Sequence, residues 1–342
     1  MLKVPYVTNY LTEHFGDDAF ATVDGYVAHG GYAAARTANT EMSPDEVIEL
    51  VKGSGLQGRG GAGFNAGLKW SFMPKQTDLP KFLVCNADES EPGSFKDRIL
   101  IERGAQQLIE GLLIAAWATG SEKTFFYIRG EYAYPAKCMQ AAIDDAYAKG
   151  YLGKDVMGTG FSHDVVVQRG AGAYICGEET GLLESLEGKK GQPRKKPPFP
   201  AQYGAFGMPS TVNNVETFSH VPHILKNGSD WFRQFGTEKS PGTTIFGVSG
   251  QVVRPGLFEL PLGTTLEEIV FEHARGVPDG RKVKGVIPGG VSMPILPAGM
   301  LDVPMANEFL RESKTFIGTG GVVVMDETTC MVRVACVISY FF

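Results

Sequence analysis

The sequence predicts an α/β protein with a largely parallel sheet, followed by a small β-grasp module. Three observations carry this prediction. Apolar strand-like runs at 81–85, 124–129 and 163–169 alternate with helical stretches at 98–118 and 134–149, the spacing that parallel crossovers need. Beyond Pro241-Gly242 the order changes to β-β-α-β within about 50 residues, which suggests a β-grasp. Glycine accounts for 44 of the 342 residues, about twice the usual ~7%, without the period of a collagen.

The elements follow in order. From Thr8 to about Gly55 the pattern is one of short helices. Ser43-Pro44-Asp45-Glu46 opens one of them with a capping box and proline at the first helical position, and Gly53 stops it. Residues 55–70, GLQGRGGAGFNAGLKW, carry six glycines in their first thirteen positions, a density that marks tight turning or close approach to a ligand. The strand at 81–85 runs into the acidic loop NADESEPGS, where functional groups often sit in α/β sheets. After the strand at 163–169 comes a second glycine-rich turn, GAGAYICGEETG, and a short helix ending near Gly188. The basic, proline-rich stretch that follows is expected as extended loop, and 209–218, PSTVNNVETF, as helix. In the C-terminal part, 243–250, 256–263 and 282–287 are predicted strands, and Thr265 to Glu268 caps a helix through about Ala274. A further strand at 321–325 leads to a helix capped by Asp326.

Composition excludes several classes. Hydrophobic content of 43% with 20% charge is that of a folded protein. Five cysteines at 85, 138, 176, 330 and 336 make no disulfide framework, which fits a reducing compartment. A net charge of −6 argues against general nucleic-acid binding. The longest strongly apolar run, Gly111 to Ser121, is far shorter than the roughly 20 residues a bilayer requires. The N-terminal residues lack the apolar core of a signal peptide and the Arg/Ser-rich character of a transit peptide, so a cytoplasmic protein without direct membrane insertion is expected.

Four motifs carry candidate chemistry. Gly58-Arg59-Gly60-Gly61-Ala62-Gly63 matches the dinucleotide fingerprint by letter, but a helix rather than a strand precedes it, so a standard Rossmann assignment fails on context. The loop still serves as an anion cradle, with Arg59 and Lys69 adding charge at its ends. In Asn86-Ala87-Asp88-Glu89-Ser90-Glu91, helix capping accounts for one or two of the acids, and acceptors for ribose, ring N–H or carboxamide groups account for the rest. Glu178 and Glu179 open a helix, where the macrodipole alone favours acids, yet the preceding Gly170–Tyr174 turn can lie flat against a ring. Lys189, Lys190, Arg194, Lys195 and Lys196 with Phe199 read equally as solvated loop, nuclear-type basic run, or cations and aromatics for a nucleotide. The six histidines form no metal spacing, and there is no nucleophile elbow.

Taken together, GLQGRGGAGFNAGLKWSFMP, VCNADESEPGSFKDR, RGAGAYICGEETGLLESLEGKKGQPRKKPPFP, PSTVNNVETF and TGGVVVMDETTCM resemble, in order and spacing over essentially the whole chain, the NADH-binding flavoprotein (FMN) subunit of respiratory complex I. The resemblance implies a Rossmann-like FMN/NADH domain at 1–240, a ubiquitin-like SLBB β-grasp domain at 241–312 and the start of a helical iron–sulfur domain at 313–342. It implies hydride transfer from NADH to FMN and passage of electrons to iron–sulfur clusters. The flavin would be held by Gly58, Arg59, Gly60, Lys69, Asn86, Asp88, Glu89, Ser90, Tyr174, Gly177, Glu178, Glu179, Asn213, Asn214 and Thr217. Phe64, Phe72, Lys196 and Phe199 would hold the adenine end of NADH, with Glu91 and Glu179 as the catalytic pair at the nicotinamide end. The implied partners are the other complex I subunits, especially the [2Fe–2S] subunit and the large iron–sulfur subunit, with the chain peripheral on the inner face of the cell membrane.

Three departures from the family pattern stand out. Phe64-Asn65-Ala66-Gly67 replaces the usual Phe-Pro-Thr-Gly, and Lys195 stands where leucine is usual. The Cys-rich segment that ligates a [4Fe–4S] cluster is not reached: Cys330 and Cys336 cannot supply four ligands, no metal site is expected in this chain, and the sequence reads as C-terminally truncated. A diaphorase subunit of an NAD-linked hydrogenase or formate dehydrogenase carries the same motifs, and a non-catalytic scaffold fragment is the reading from another class.

Overall fold

The computed structural model describes residues 7–342. The start of the first predicted domain and of the N-terminal segment read as leaderless lies outside the described residues. The chain forms two compact units, one of Tyr10–Ser90 with Asp97–Gln234, the other of residues 7–9 with Glu91–Lys96 and Phe235–Phe342.

In the first unit, short helices α1 (Val23–Ala28), α2 (Ala33–Glu41), α3 (Pro44–Gly53) and α4 (Ala66–Trp70) precede β1 (Phe82–Ala87). The capping box of α3 is formed as its sequence predicts, Ser43 and Glu46 each bonding the other's backbone N–H. Next come α5 (Asp97–Arg103), α6 (Ala105–Thr119), β2 (Lys123–Ile128), α7 (Ala133–Ala148), β3 (Asp164–Arg169), α8 (Glu179–Leu186), β4 (Ser210–Asn214), α9 (Val215–Asn227) and α10 (Ser229–Phe232). The four strands pair in parallel in the order β3-β2-β1-β4. Leu182, Leu183 and Leu186 of α8 cover Val84, Tyr127 and Val212, while the alternate residues Leu83 and Cys85 are buried too, as a parallel sheet covered on both faces requires.

Two elements of this unit differ from the sequence reading. The single helix expected at 98–118 is two, because Gly104 breaks it where a Cβ would stand 2.8 Å from the Phe15 ring. Residues 209–218, expected as helix throughout, begin as β4: the buried run Ser210–Val212 pairs with Phe82–Val84, and helix starts only after Asn214 accepts the Glu216 N–H as its cap.

The second unit holds β5 (Thr243–Gly250), β6 (Gly256–Pro261), α11 (Leu266–Glu268), β7 (Val283–Ile287), β8 (Leu296–Pro297), α12 (Asn307–Glu312), β9 (Gly321–Asp326) and α13 (Met331–Phe341). Its sheet runs β6-β5-β9-β7-β8, with β9 parallel to β5 and antiparallel to β7. The 312/313 division along the chain therefore does not coincide with the sheet, since β9 lies at its centre. Asp326, expected as a helix cap, caps none: its carboxylate accepts from Thr328 and Thr329, and α13 begins five residues on. Cys330 and Cys336 are both exposed.

α6 is apolar almost all round, which is the signature of a buried helix, and it crosses α9 where Gly111 lets the Phe218 carbonyl approach to 2.1 Å of a would-be Cβ. The same helix buries Glu110, whose carboxylate does the capping that α2 lacks. Oε1 accepts from Ala35 N at 3.0 Å and Oε2 from the Tyr26 hydroxyl, while burial pushes its pKa up. Removing it leaves several buried donors without an acceptor. Glu110→Ala is expected to lower the unfolding free energy by about 2–4 kcal/mol in urea titrations, whereas a change under about 0.5 kcal/mol would contradict this role.

Candidate functional site

The strand order locates the site. From β1 the chain moves outward through β2 to β3, then returns to β4 on the other side of β1. Such a reversal opens a crevice at the carboxyl ends of the two strands that flank it. Asn86 stands near the end of β1, and Asn213 and Asn214 close β4, so three of the predicted amides meet at this crevice.

The glycine turn before α4 reaches the same place. Arg59 N–H donates to Thr217 Oγ1 at 2.9 Å, and a Cβ at Gly60 would stand 3.1 Å from that of Asn214. Asn213 Oδ1 accepts from Trp70 Nε1 at 2.9 Å, which ties α4 to the end of β4. Asn214 is doubly used, accepting from Glu216 N and donating to Asp97 Oδ2 at 2.5 Å. From the other glycine-rich turn, the Gly177 carbonyl accepts from Asn86 Nδ2 at 2.9 Å, and a Cβ at Gly177 would lie 3.4 Å from the Asp88 carbonyl.

The acids divide by partner. Glu89 is committed to helix capping: its two oxygens accept from Asp97 N at 2.9 Å, Arg98 N at 3.2 Å and the Tyr132 hydroxyl at 3.0 Å. Glu178 caps α8 in the same way, accepting from Thr180 N at 2.7 Å and Gly181 N at 2.9 Å. Both acids hold the loops that carry their neighbours. Glu179 instead takes two cations, Lys69 at 2.7 Å and Lys196 at 2.5 Å, which join the first glycine turn, the second and the basic loop. Burial pushes the Glu179 carboxyl up, but Lys69 and Lys196 outweigh it and leave its pKa below the ordinary value. Burial dominates at Asp88 and raises it to about 6, against the Ser90 hydroxyl bonded to it and the charge of Arg129.

Of the predicted aromatics, Phe64 and Phe72 are exposed and 6.1 Å apart between ring centroids, and Tyr174 and Phe199 are exposed as well. Arg59 differs from the expected loop cation, for it is only 6% exposed and its guanidinium donates inward to the Gln57 carbonyl at 3.0 Å. Glu91 belongs to the second unit, where its Oε1 accepts from Ser292 N at 2.6 Å. Sequence reasoning missed Trp70, Asp97, Arg129 and Glu216. Trp70, Asp97 and Glu216 sit inside the quoted motifs, but nothing in their spacing marks the first two as partners of Asn213 and Asn214.

Comparison with known families matches residues 51–223 to the Nuo51 FMN-binding domain and 245–296 to the SLBB domain. The chain is 56% identical over 317 residues to an F subunit (F 2) of NADH-quinone oxidoreductase from Rhizobium meliloti (strain 1021), covering 93% of this chain and 75% of that protein. It is 46% identical over 337 residues to the NADH-quinone oxidoreductase F subunit of Escherichia coli (strain K12), covering 98% and 76%. Among solved structures it is similar to a chain of an NAD+-reducing [NiFe]-hydrogenase in the air-oxidized state, with a TM-score of 0.78 and 37% identity. That match covers 94% of this chain and about half, 52%, of the hydrogenase chain.

The Asp88 environment has a pH consequence. Its folded pKa of about 6 lies above the ordinary 3.8, so between those values the folded chain binds more protons than the unfolded one, and stability falls as pH rises through that window. Asp88→Asn is expected to flatten this part of the stability profile in urea titrations from pH 4 to pH 7; a variant with the parent's slope would contradict the assignment.

Proposed function

The chain belongs to the F-subunit family of NADH-quinone oxidoreductases, and from that premise we propose that it is the electron-input subunit of an NADH:quinone oxidoreductase, binding FMN and NADH. The observation that carries the reading is the crevice at the β1/β4 reversal, where two glycine-rich turns bring bare backbone against strand ends. The residues present fit a flavin mononucleotide. Gly58, Gly60 and Gly177 supply backbone without side chains, Asn86, Asn213, Asn214, Asp88 and Ser90 supply polar contacts, and Lys69 supplies a cation. FMN, when bound, supplies the hydride-accepting chemistry; the chain's own residues bind, orient and exclude water.

In this assignment Glu89 and Glu178 act by holding the two loops, Tyr174 borders the ring, and Thr217 holds the Arg59 amide. Phe64, Phe72 and Phe199 offer exposed faces for the adenine, and Lys196, paired with Glu179, would supply a cation at the same end. Glu179 serves the nicotinamide end. The 1–240 part would bind both nucleotides, 241–312 would act as the β-grasp domain, and 313–342 would lead toward an iron–sulfur domain. The chain works in a complex with other subunits, and the [2Fe–2S] and large iron–sulfur subunits are its proposed neighbours. No helix among the described residues is long and apolar enough to cross a membrane, so attachment at the inner face would come through the complex. The higher identity to the quinone oxidoreductase proteins than to the hydrogenase chain favours this assignment over a hydrogenase diaphorase.

Two substitutions test it. Gly60→Val would push a branched side chain against Asn214, and Glu179→Gln would remove the charge that gathers Lys69 and Lys196. Each is expected to leave the thermal unfolding midpoint within a few degrees of the parent while weakening FMN or NADH binding at least tenfold, about 1.4 kcal/mol. Parent-like flavin content and NADH:ferricyanide activity in both variants would contradict the assignment.

A further inference from the structure

The first turns of α9 carry two buried titratable groups that no cap and no proposed ligand contact uses. Glu216 and His220 lie one helical turn apart without solvent exposure, and His220 Nε2 is 3.6 Å from Glu216 Oε1. The row continues outward, since His220 Nδ1 and the Tyr10 hydroxyl share a hydrogen bond of 3.0 Å and the Tyr10 ring packs edge-on against Trp231 at 4.8 Å. Arg59 of the glycine turn is buried as well, and its backbone N–H is held by Thr217, the residue next to Glu216. Burial holds the guanidinium pKa of Arg59 below its ordinary value, partly offset by the charge of Glu216 and, less, by Tyr10. A buried guanidinium is tolerated only where another charge answers it.

These contacts converge on one short stretch of chain. Asn214 crowds Gly60, where a Cβ would stand 3.1 Å from its own, Thr217 holds the Arg59 amide, and Glu216 beside Thr217 carries the charge that acts on Arg59, all from the cap and first turn of α9. We propose that Glu216 is a positioning residue for the flavin site: acting through Arg59, its buried carboxylate fixes the Gly58–Gly60 peptide in the shape that accepts FMN. His220 and Tyr10 back the carboxylate from behind. Sequence reasoning assigned no role to any of these three residues. The proposal rests on the FMN reading given above, and it adds a residue that touches no ligand.

The test is a double-mutant cycle on the full chain. The parent, Arg59→Met, Glu216→Gln and the combined variant are stripped of flavin and titrated with FMN by fluorescence quenching, and each flavin-free protein is also unfolded thermally. If Glu216 acts through Arg59, the two single variants and the double variant lose FMN affinity by the same factor, at least tenfold, rather than by the product of two independent losses. The unfolding midpoint behaves differently: it falls in each single variant, where one buried charge is stranded, and recovers in the double variant. Parent-like FMN affinity in Glu216→Gln, or losses that multiply in the double variant, would overturn the proposal while leaving the FMN reading intact. A parent chain that takes up no FMN would overturn both. Should a single variant fail to fold, the double variant decides: a parent-like midpoint with weakened FMN binding supports the proposal, and parent-like binding overturns it.

Discussion

The pairing of β4 with β1 is the contact on which the site depends. It is a parallel pairing between strands far apart in sequence, in register from Phe82 with Ser210 to Asn86 with Asn214. A slip of one residue would turn Asn213 and Asn214 to the opposite faces. Because the register holds, the end of β4 delivers Asn213 to Trp70 of α4, Asn214 to the open side of Gly60 and, one turn into α9, Thr217 to the Arg59 amide, so two hydrogen bonds fasten the first glycine turn and the helix after it to β4 and α9. The second turn is fastened to β1 by the bond from Asn86 to the Gly177 carbonyl. Neither turn could hold its shape alone, since glycine-rich backbone carries the largest conformational entropy to be lost.

Charge is distributed to the same end. Each acidic cluster contains one carboxylate spent on a helix N-terminus, Glu89 on α5 and Glu178 on α8, where backbone N–H groups and the macrodipole stabilise it. That use leaves the neighbours Asp88 and Glu179 for other work, and their environments push them apart. Asp88, with burial prevailing, holds its proton to about pH 6, whereas Glu179, between two lysines, stays ionised to lower pH than an ordinary glutamate. The two carboxyl groups beside one crevice therefore titrate in opposite directions from their ordinary values, so that below about pH 6 Asp88 is protonated while Glu179 remains a carboxylate.

Much of this was legible in the sequence, for physical reasons that can be named. The capping box at Ser43 and Glu46 is local chemistry, and it formed as read. The alternation of strands and helices is set by hydrophobic period, and it led to the parallel sheet. What escaped depended on non-local pairing. Residues 209–218 have a helical second half, so their short strand is recognisable only against β1, and without β4 the reversal that locates the crevice could not be placed. Capping was considered for the acids, but which of them cap follows from where α5 and α8 begin. Arg59 looked like a loop cation because nothing nearby in sequence announces Glu216, more than 150 residues further along the chain, as its answering charge.

One spectroscopic measurement tests the site most directly. The full chain, reconstituted with FMN and freed of excess flavin, is placed under anaerobic conditions and titrated with NADH while the visible flavin band is followed. Retention of one flavin per chain with bleaching of that band at stoichiometric NADH is the result predicted by a site that holds both nucleotides. Flavin lost on gel filtration, or a retained flavin whose band NADH leaves unchanged, would contradict it.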